Sequence, residues 1–182
     1  VQPRSFIKTD IRRKHDQMND PDSIRTFLLM LVLVAFSAYF SATETAFSSL
    51  NRIRIKSLAD SGNRRAKLVQ RLSEEYDRLL STILVGNNIV NILLASISTI
   101  YFVGLYGEGR GTTISTVVST VVVLIFGEIS PKSVAKDHAE GFAMTSAPII
   151  RVISYLLYPV NWLFSQWKRL LGRIFKSAGD TA

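Results

Sequence analysis

The sequence predicts an all-α membrane protein: three transmembrane helices, the third broken by a proline, with a belt of juxtamembrane amphipathic helices. Three observations carry this. Apolar runs cover about 26–50, 79–106 and 112–129, each longer than the roughly 17 residues that a helix needs at least to cross a hydrocarbon core. Hydrophobic residues make up 47% of the 182 residues while the net charge is +8. The basic residues fall in blocks flanking the apolar runs, where they suit anionic headgroups and cytoplasmic loops rather than nucleic acid. The third run ends in Gly127-Glu128-Ile129-Ser130-Pro131, which places a carboxylate and a helix breaker together at the end of an apolar segment.

The segment 1–25 is polar and mixed in charge and reads as an extracytoplasmic tail, with Asp22 or Ser23 expected to cap the first helix. The first apolar run begins only near Thr26 and is long enough to span, so it reads as a span rather than a signal peptide. Its first half is uniformly apolar and its second half rich in small and hydroxyl residues, so the first half should face lipid and the second should pack. Ser37 and Ser41 share one face, with Glu44 about one turn further on. From 51 to 78 the chain is polar and basic, with apolar residues at helical spacing and a break at Ser61-Gly62-Asn63. It reads as two short interfacial helices or a plain cytoplasmic loop.

The second span carries Asn87, Asn88 and Asn91 in its middle, with Asn87 and Asn91 facing the same way. Three asparagines in five positions exceed what interhelical packing requires. The turn Gly107–Gly111 is short and joins antiparallel helices. The third span opens with Thr112, Thr116 and Thr120 on one stripe and Ser115 and Ser119 on another, a pattern suited to close helix packing or a dimer seam. Beyond Pro131, the segment 136–176 is apolar but interrupted by Pro148, Arg151 and Pro159, and Trp162, Trp167, Lys168, Arg169 and Arg173 mark an interface. It reads as re-entrant or interfacial helices rather than a fourth span. Fifteen Lys and Arg lie in 51–78 and after 130, against seven in 1–25 and the turn holding Arg110, which puts the former sides in the cytoplasm and the N-terminus outside a multi-pass inner (plasma) membrane protein.

Glu128 at membrane depth is costly unless it meets a cation, a proton or water. Pro131 has no N–H to give to the Gly127 carbonyl, so a bare carbonyl oxygen is expected beside that carboxylate. The alternative is that Pro131 simply ends the span at the interface and Glu128 reaches water. Taken together, Ser37 and Ser41, Asn87 and Asn91, and Glu128 with the Gly127 carbonyl form an oxygen-only donor set on three helices. Such hard ligands suit Mg²⁺, or Ca²⁺ or Na⁺. The absence of cysteine excludes thiolate chemistry, and with His15 and His138 far apart and without ligand spacing a transition-metal site is not expected. An intramembrane hydrolase using Ser37 or Ser41 lacks a histidine or lysine base at that depth.

The stretches FSAYFSATETAF (36–47), VGNNIVNI (85–92) and FGEISPKSVA (126–135) resemble the transmembrane domain of the CorC/CNNM (cyclin M) family of magnesium transporters, over most of 26–164. The resemblance implies a homodimer of three-span subunits with a cytosolic-side helical belt, exporting Mg²⁺ against entering Na⁺. By motif match, the Mg²⁺ positions fall on Ser37, Ser41, Asn87 or Asn91, Gly127 and Glu128, and Glu44 is a candidate for Na⁺ coupling. Family members continue into cytosolic CBS domains; nothing resembling these occurs in 26–182, so the chain reads as the transmembrane domain alone. The competing functions are a Mg²⁺-sensing membrane anchor for cytosolic domains and a passive divalent-cation channel.

Overall fold

A computed structural model describes residues 21–160, 162–163 and 166–167. The expected tail up to residue 20 and the part of the 136–176 segment from Lys168 onward, with Arg169 and Arg173, lie outside the described residues. Among the described residues the chain is helical, with no strand. Helix α1 spans Pro21–Ser49, α2 Arg52–Asp60, α3 Arg64–Glu74, α4 Tyr76–Tyr106 and α5 Glu108–Val122. A π-helical segment, Val123–Ile129, leads without a break into α6, Ser130–Asp137, and α7 spans Ala139–Leu156. Three helical stretches are long and apolar enough to cross a membrane: Asp22–Ser49, Tyr76–Tyr106 and Glu108–Asp137. The protein is an all-α membrane protein.

Each stretch exceeds its expected bounds for a local reason. Helix α1 begins at Pro21, not at a cap formed by Asp22 or Ser23, because proline suits the first helical position and Asp22 favours the positive end of the helix dipole. The turn expected over Gly107–Gly111 shrinks to Gly107, whose φ of 79° is left-handed. Gly111 is instead helical, and a Cβ there would lie 2.5 Å from the Phe102 carbonyl oxygen, so its missing side chain is what lets α5 close against α4. Similarly, Gly62, at φ 95°, turns the chain between α2 and α3. Asn51 and Asn63 cap those two helices, each side chain accepting two backbone N–H groups.

The third stretch does not stop at Pro131. Pro131 is the second residue of α6, and because the helix runs on from the π segment, its missing N–H leaves one carbonyl of the preceding turn without that partner. The preceding π segment absorbs the change of register, and Ser130 N–H bonds to the Ile125 carbonyl, five residues back. Pro148 likewise lies inside α7 without ending it.

The chain divides into two compact units. The first comprises residues up to Ser41 with Asn87–Pro131. Met30, Leu33 and Leu94 form its core, with Val34, Val90, Ile97, Tyr101 and Val123 packed on it. Ser37 meets Asn87 while Asp22, Ser23 and Thr26 lie beside Ile100, Tyr101 and Gly104, so α1 and α4 run antiparallel. On α1, Phe27, Leu28, Leu31, Val32 and Phe36 are exposed, as lipid-facing residues would be, and buried residues become denser from Ser37 onward. The second unit comprises Ala42–Gly86 and Lys132 onward. There α2 packs on α3, and α3 on α7, through small buried residues including Ala59, Ala66, Ala143 and Ala147.

Candidate ion site

Helix α1 delivers Ser37 and Ser41 to one face, one turn apart, and both are buried, at 0% and 1% exposure. A serine inside a helix commonly bonds back to its own backbone. Ser37 instead donates from Oγ to Asn87 Oδ1 on α4, at 3.3 Å. The third stretch meets the same point. Gly127, in the π segment, is buried, and a Cβ built on it would stand 2.9 Å from Ser37 Oγ and 3.4 Å from Ser37 Cβ. No other residue type fits there without moving Ser37. Three helical stretches therefore converge at Ser37, Asn87 and Gly127, all within the first unit.

The remaining expected donors lie within four residues of that contact along the same helical stretches. Glu128 follows Gly127 and is half-buried. Because α1 and α4 run antiparallel, the step from Ser37 to Ser41 and the step from Asn87 to Asn91 go opposite ways, separating Ser41 and Asn91 by about 12 Å in level. Side chains lean toward the N-terminus of their own helix, which turns both back toward the shared level of Ser37 and Asn87. Asn91 Oδ1 is buried with no hydrogen-bond partner. An orphaned buried acceptor costs about 1–3 kcal/mol, and a cation answers that cost directly.

The π segment bears on the expected bare Gly127 oxygen. In α register Pro131 would fail Gly127, but in the π register that Ser130 follows, the carbonyl it fails is that of Phe126. The changeover from five-residue to four-residue bonding thus falls on two successive carbonyls, Phe126 and Gly127, beside Glu128.

Among the described residues no three His, Cys, Asp or Glu cluster, and the donors expected beside Glu128 are neutral oxygens. Such a set provides one negative charge, several dipoles and no soft ligand, which is the donor chemistry of a hard cation. Glu44 is in the second unit and is committed differently: Lys132 Nζ lies 3.3 Å from its Oε2, with side-chain exposures of 42% and 31% for the lysine and the glutamate. Sequence reasoning counted Lys132 only as a cytoplasmic charge. Its position directly after Ser130-Pro131 was the available signal.

A family profile described as the cyclin M transmembrane N-terminal domain matches residues 28–182. A UPF0053 protein of Haemophilus influenzae is 40% identical over 148 residues, 81% of this chain and 35% of that protein. The UPF0053 inner membrane protein YfjD of Escherichia coli is 43% identical over 138 residues, 76% of this chain and 32% of its own length. A polyamine export protein of Haemophilus influenzae is 25% identical over 163 residues, 83% of this chain and 38% of that protein. The chain spans about a third of the length of these relatives.

Proposed function

Because the chain belongs to the cyclin M transmembrane-domain family, we propose that it carries Mg²⁺ through the membrane by alternating access, exporting it in exchange for entering Na⁺. The observation that supports this most is the convergence of Ser37, Asn87 and Gly127 from three helical stretches, with Glu128 adjoining. Ser37, Ser41, Asn87 and Asn91 offer neutral oxygens, the Gly127 carbonyl adds a backbone oxygen, and Glu128 supplies the one charge. Six oxygens is the number an octahedron needs, and with Ser41 and Asn91 about 12 Å apart in level the ion meets those two in turn, with water completing its shell. A single carboxylate leaves the ion only partly neutralised, which permits release. For Na⁺, Glu44 is the candidate, and entry there must displace Lys132 from its carboxylate.

The protein works as a homodimer in the inner membrane, N-terminus outside, with its C-terminal side toward cytosolic CBS domains of a longer chain. The relative named an inner membrane protein agrees with that location. A polyamine as cargo is the second reading, favoured by the name of the Haemophilus relative. The tight seat of Ser37 on Gly127 suits a bare ion better than an extended amine.

Purified protein in liposomes holding a Mg²⁺-sensitive dye tests the proposal. An inward or outward Na⁺ gradient should drive Mg²⁺ the opposite way, and Glu128→Gln should reduce that flux at least about tenfold, the loss of one charge-assisted ligand. Rapid flux indifferent to Na⁺ would indicate a channel, binding without flux a sensor, and spermidine movement in place of Mg²⁺ the polyamine reading.

A further inference from the structure

The second unit holds a cleft of about 170 Å³ that the ion site does not use, more than ten times the roughly 10–15 Å³ that one water needs. Three arginines line it: Arg71 from α3, Arg78 from α4 and Arg151 from α7. The one carboxylate on its wall, Glu75, is already held by Arg78 at 3.1 Å. The cleft therefore carries a local excess of positive charge. Arg71 sits in the last turn of α3, where a cation favours the helix dipole. No such reason places Arg151, which lies within an apolar stretch of α7 between the fully buried Ile150 and the exposed Val152.

Among the described residues no carboxylate pairs with Arg71 or Arg151. Two of the guanidiniums are steadied by aromatic rings: Arg78 stands 5.6 Å from the centroid of Tyr158 and Arg151 5.9 Å from that of Tyr155. Ser154 adds a hydroxyl to the wall at 8% exposure. Planar forks held in place around a small cleft, here one whose wall also includes Leu68 and Leu72, are the arrangement that recognises phosphate oxygens in pairs.

The outer face of α7 indicates what carries the phosphate. Val152, Tyr155 and Leu156, next to Arg151, are exposed at 67%, 63% and 77%. A free anion has no use for that surface, whereas acyl chains do. We propose that this cleft is a binding site for the headgroup phosphate of an anionic phospholipid, with Arg71, Arg78 and Arg151 as its ligands and the Val152–Leu156 face against the acyl chains. The assignment is independent of which ion is transported.

Native mass spectrometry of the detergent-solubilised chain, titrated with phosphatidylglycerol or phosphatidylcholine, tests it. The double variant Arg71→Gln/Arg151→Gln should bind phosphatidylglycerol about tenfold more weakly, as loss of charge-assisted hydrogen bonds predicts. Arg64→Gln/Arg65→Gln removes the same charge from exposed positions at the other end of α3 and should stay within about twofold of the parent. Arg151→Lys, which keeps the charge but not the fork, should weaken binding without loss of helicity, and provides the comparison should the double variant fail to fold. Equal losses in the two double variants, or none in either, would overturn the site. Inorganic phosphate giving Arg71- and Arg151-dependent thermal stabilisation, with no preference for phosphatidylglycerol over phosphatidylcholine, would overturn the lipid assignment in favour of a soluble anion.

Discussion

Gly127 is the residue on which the site turns, since its hydrogen stands where any side chain would strike Ser37 Oγ at 2.9 Å. Both are fully packed, so a methyl group there must push Ser37 away from Asn87 Oδ1 and pull apart two of the three helical stretches. Overpacking of this kind costs about 1–3 kcal/mol. Gly127→Ala should therefore weaken Mg²⁺ binding about tenfold while the helical content, read by circular dichroism, stays unchanged; unaltered affinity would mean that the Ser37 contact is incidental. The pairing of Ser37 with Asn87 was legible in outline, because both are polar residues at similar depth on apolar helices. Their partner Gly127 was anticipated for its carbonyl and not for its lack of a side chain. Close approach across helices leaves no mark in a single sequence beyond the glycine itself.

At the scale of elements, α4 and α5 are held by a contact no side chain makes. The Gly111 Cα abuts the Phe102–Val103 backbone, and one turn further Ser115 Oγ donates to Ser98 Oγ at 2.9 Å and lies 3.2 Å from Thr99 Oγ1. Gly109, two residues before Gly111 on the same helix, has open space where its Cβ would be. Gly111→Ala should lower the thermal midpoint in detergent, by about 1–3 kcal/mol of overpacking or more, and Gly109→Ala should hold or raise it by up to about 1 kcal/mol of helix propensity. Equal effects would mean that the approach of α4 and α5 does not contribute to stability. Of the two stripes expected to pack or to form a dimer seam, the serine one packs within the chain, through Ser115. Thr112, Thr116 and Thr120 point out of the chain, and the hydroxyls of Thr112 and Thr116 bond back to their own helix. The π segment could not be read in advance: a proline signals a lost N–H, but whether the chain breaks or widens its register depends on the packing of Gly127.

Over the whole molecule, length and hydropathy were enough to identify three membrane-crossing helices, because lipid demands continuous apolar runs with their backbones internally bonded. Helix ends were less legible, and α1, α5 and α6 all reach further than the apolar runs, since polar residues such as Asp22, Glu108 and Lys132 continue a helix past the apolar zone. The division into two units likewise separates two kinds of chemistry. The first holds the oxygen donors, and the second holds the ion pair of Glu44 with Lys132 and the arginine cleft. The central claim is that Glu128 completes a cation site with Ser37, Asn87 and the π segment. Equilibrium Mg²⁺ binding to the purified chain in detergent, parent against Glu128→Gln, tests it most directly, because binding requires neither the rest of a longer protein nor a gradient. The account predicts saturable binding that Glu128→Gln weakens at least about tenfold. Binding that ignores the substitution would contradict it, and would make Glu128 a carboxylate that meets water at the membrane surface.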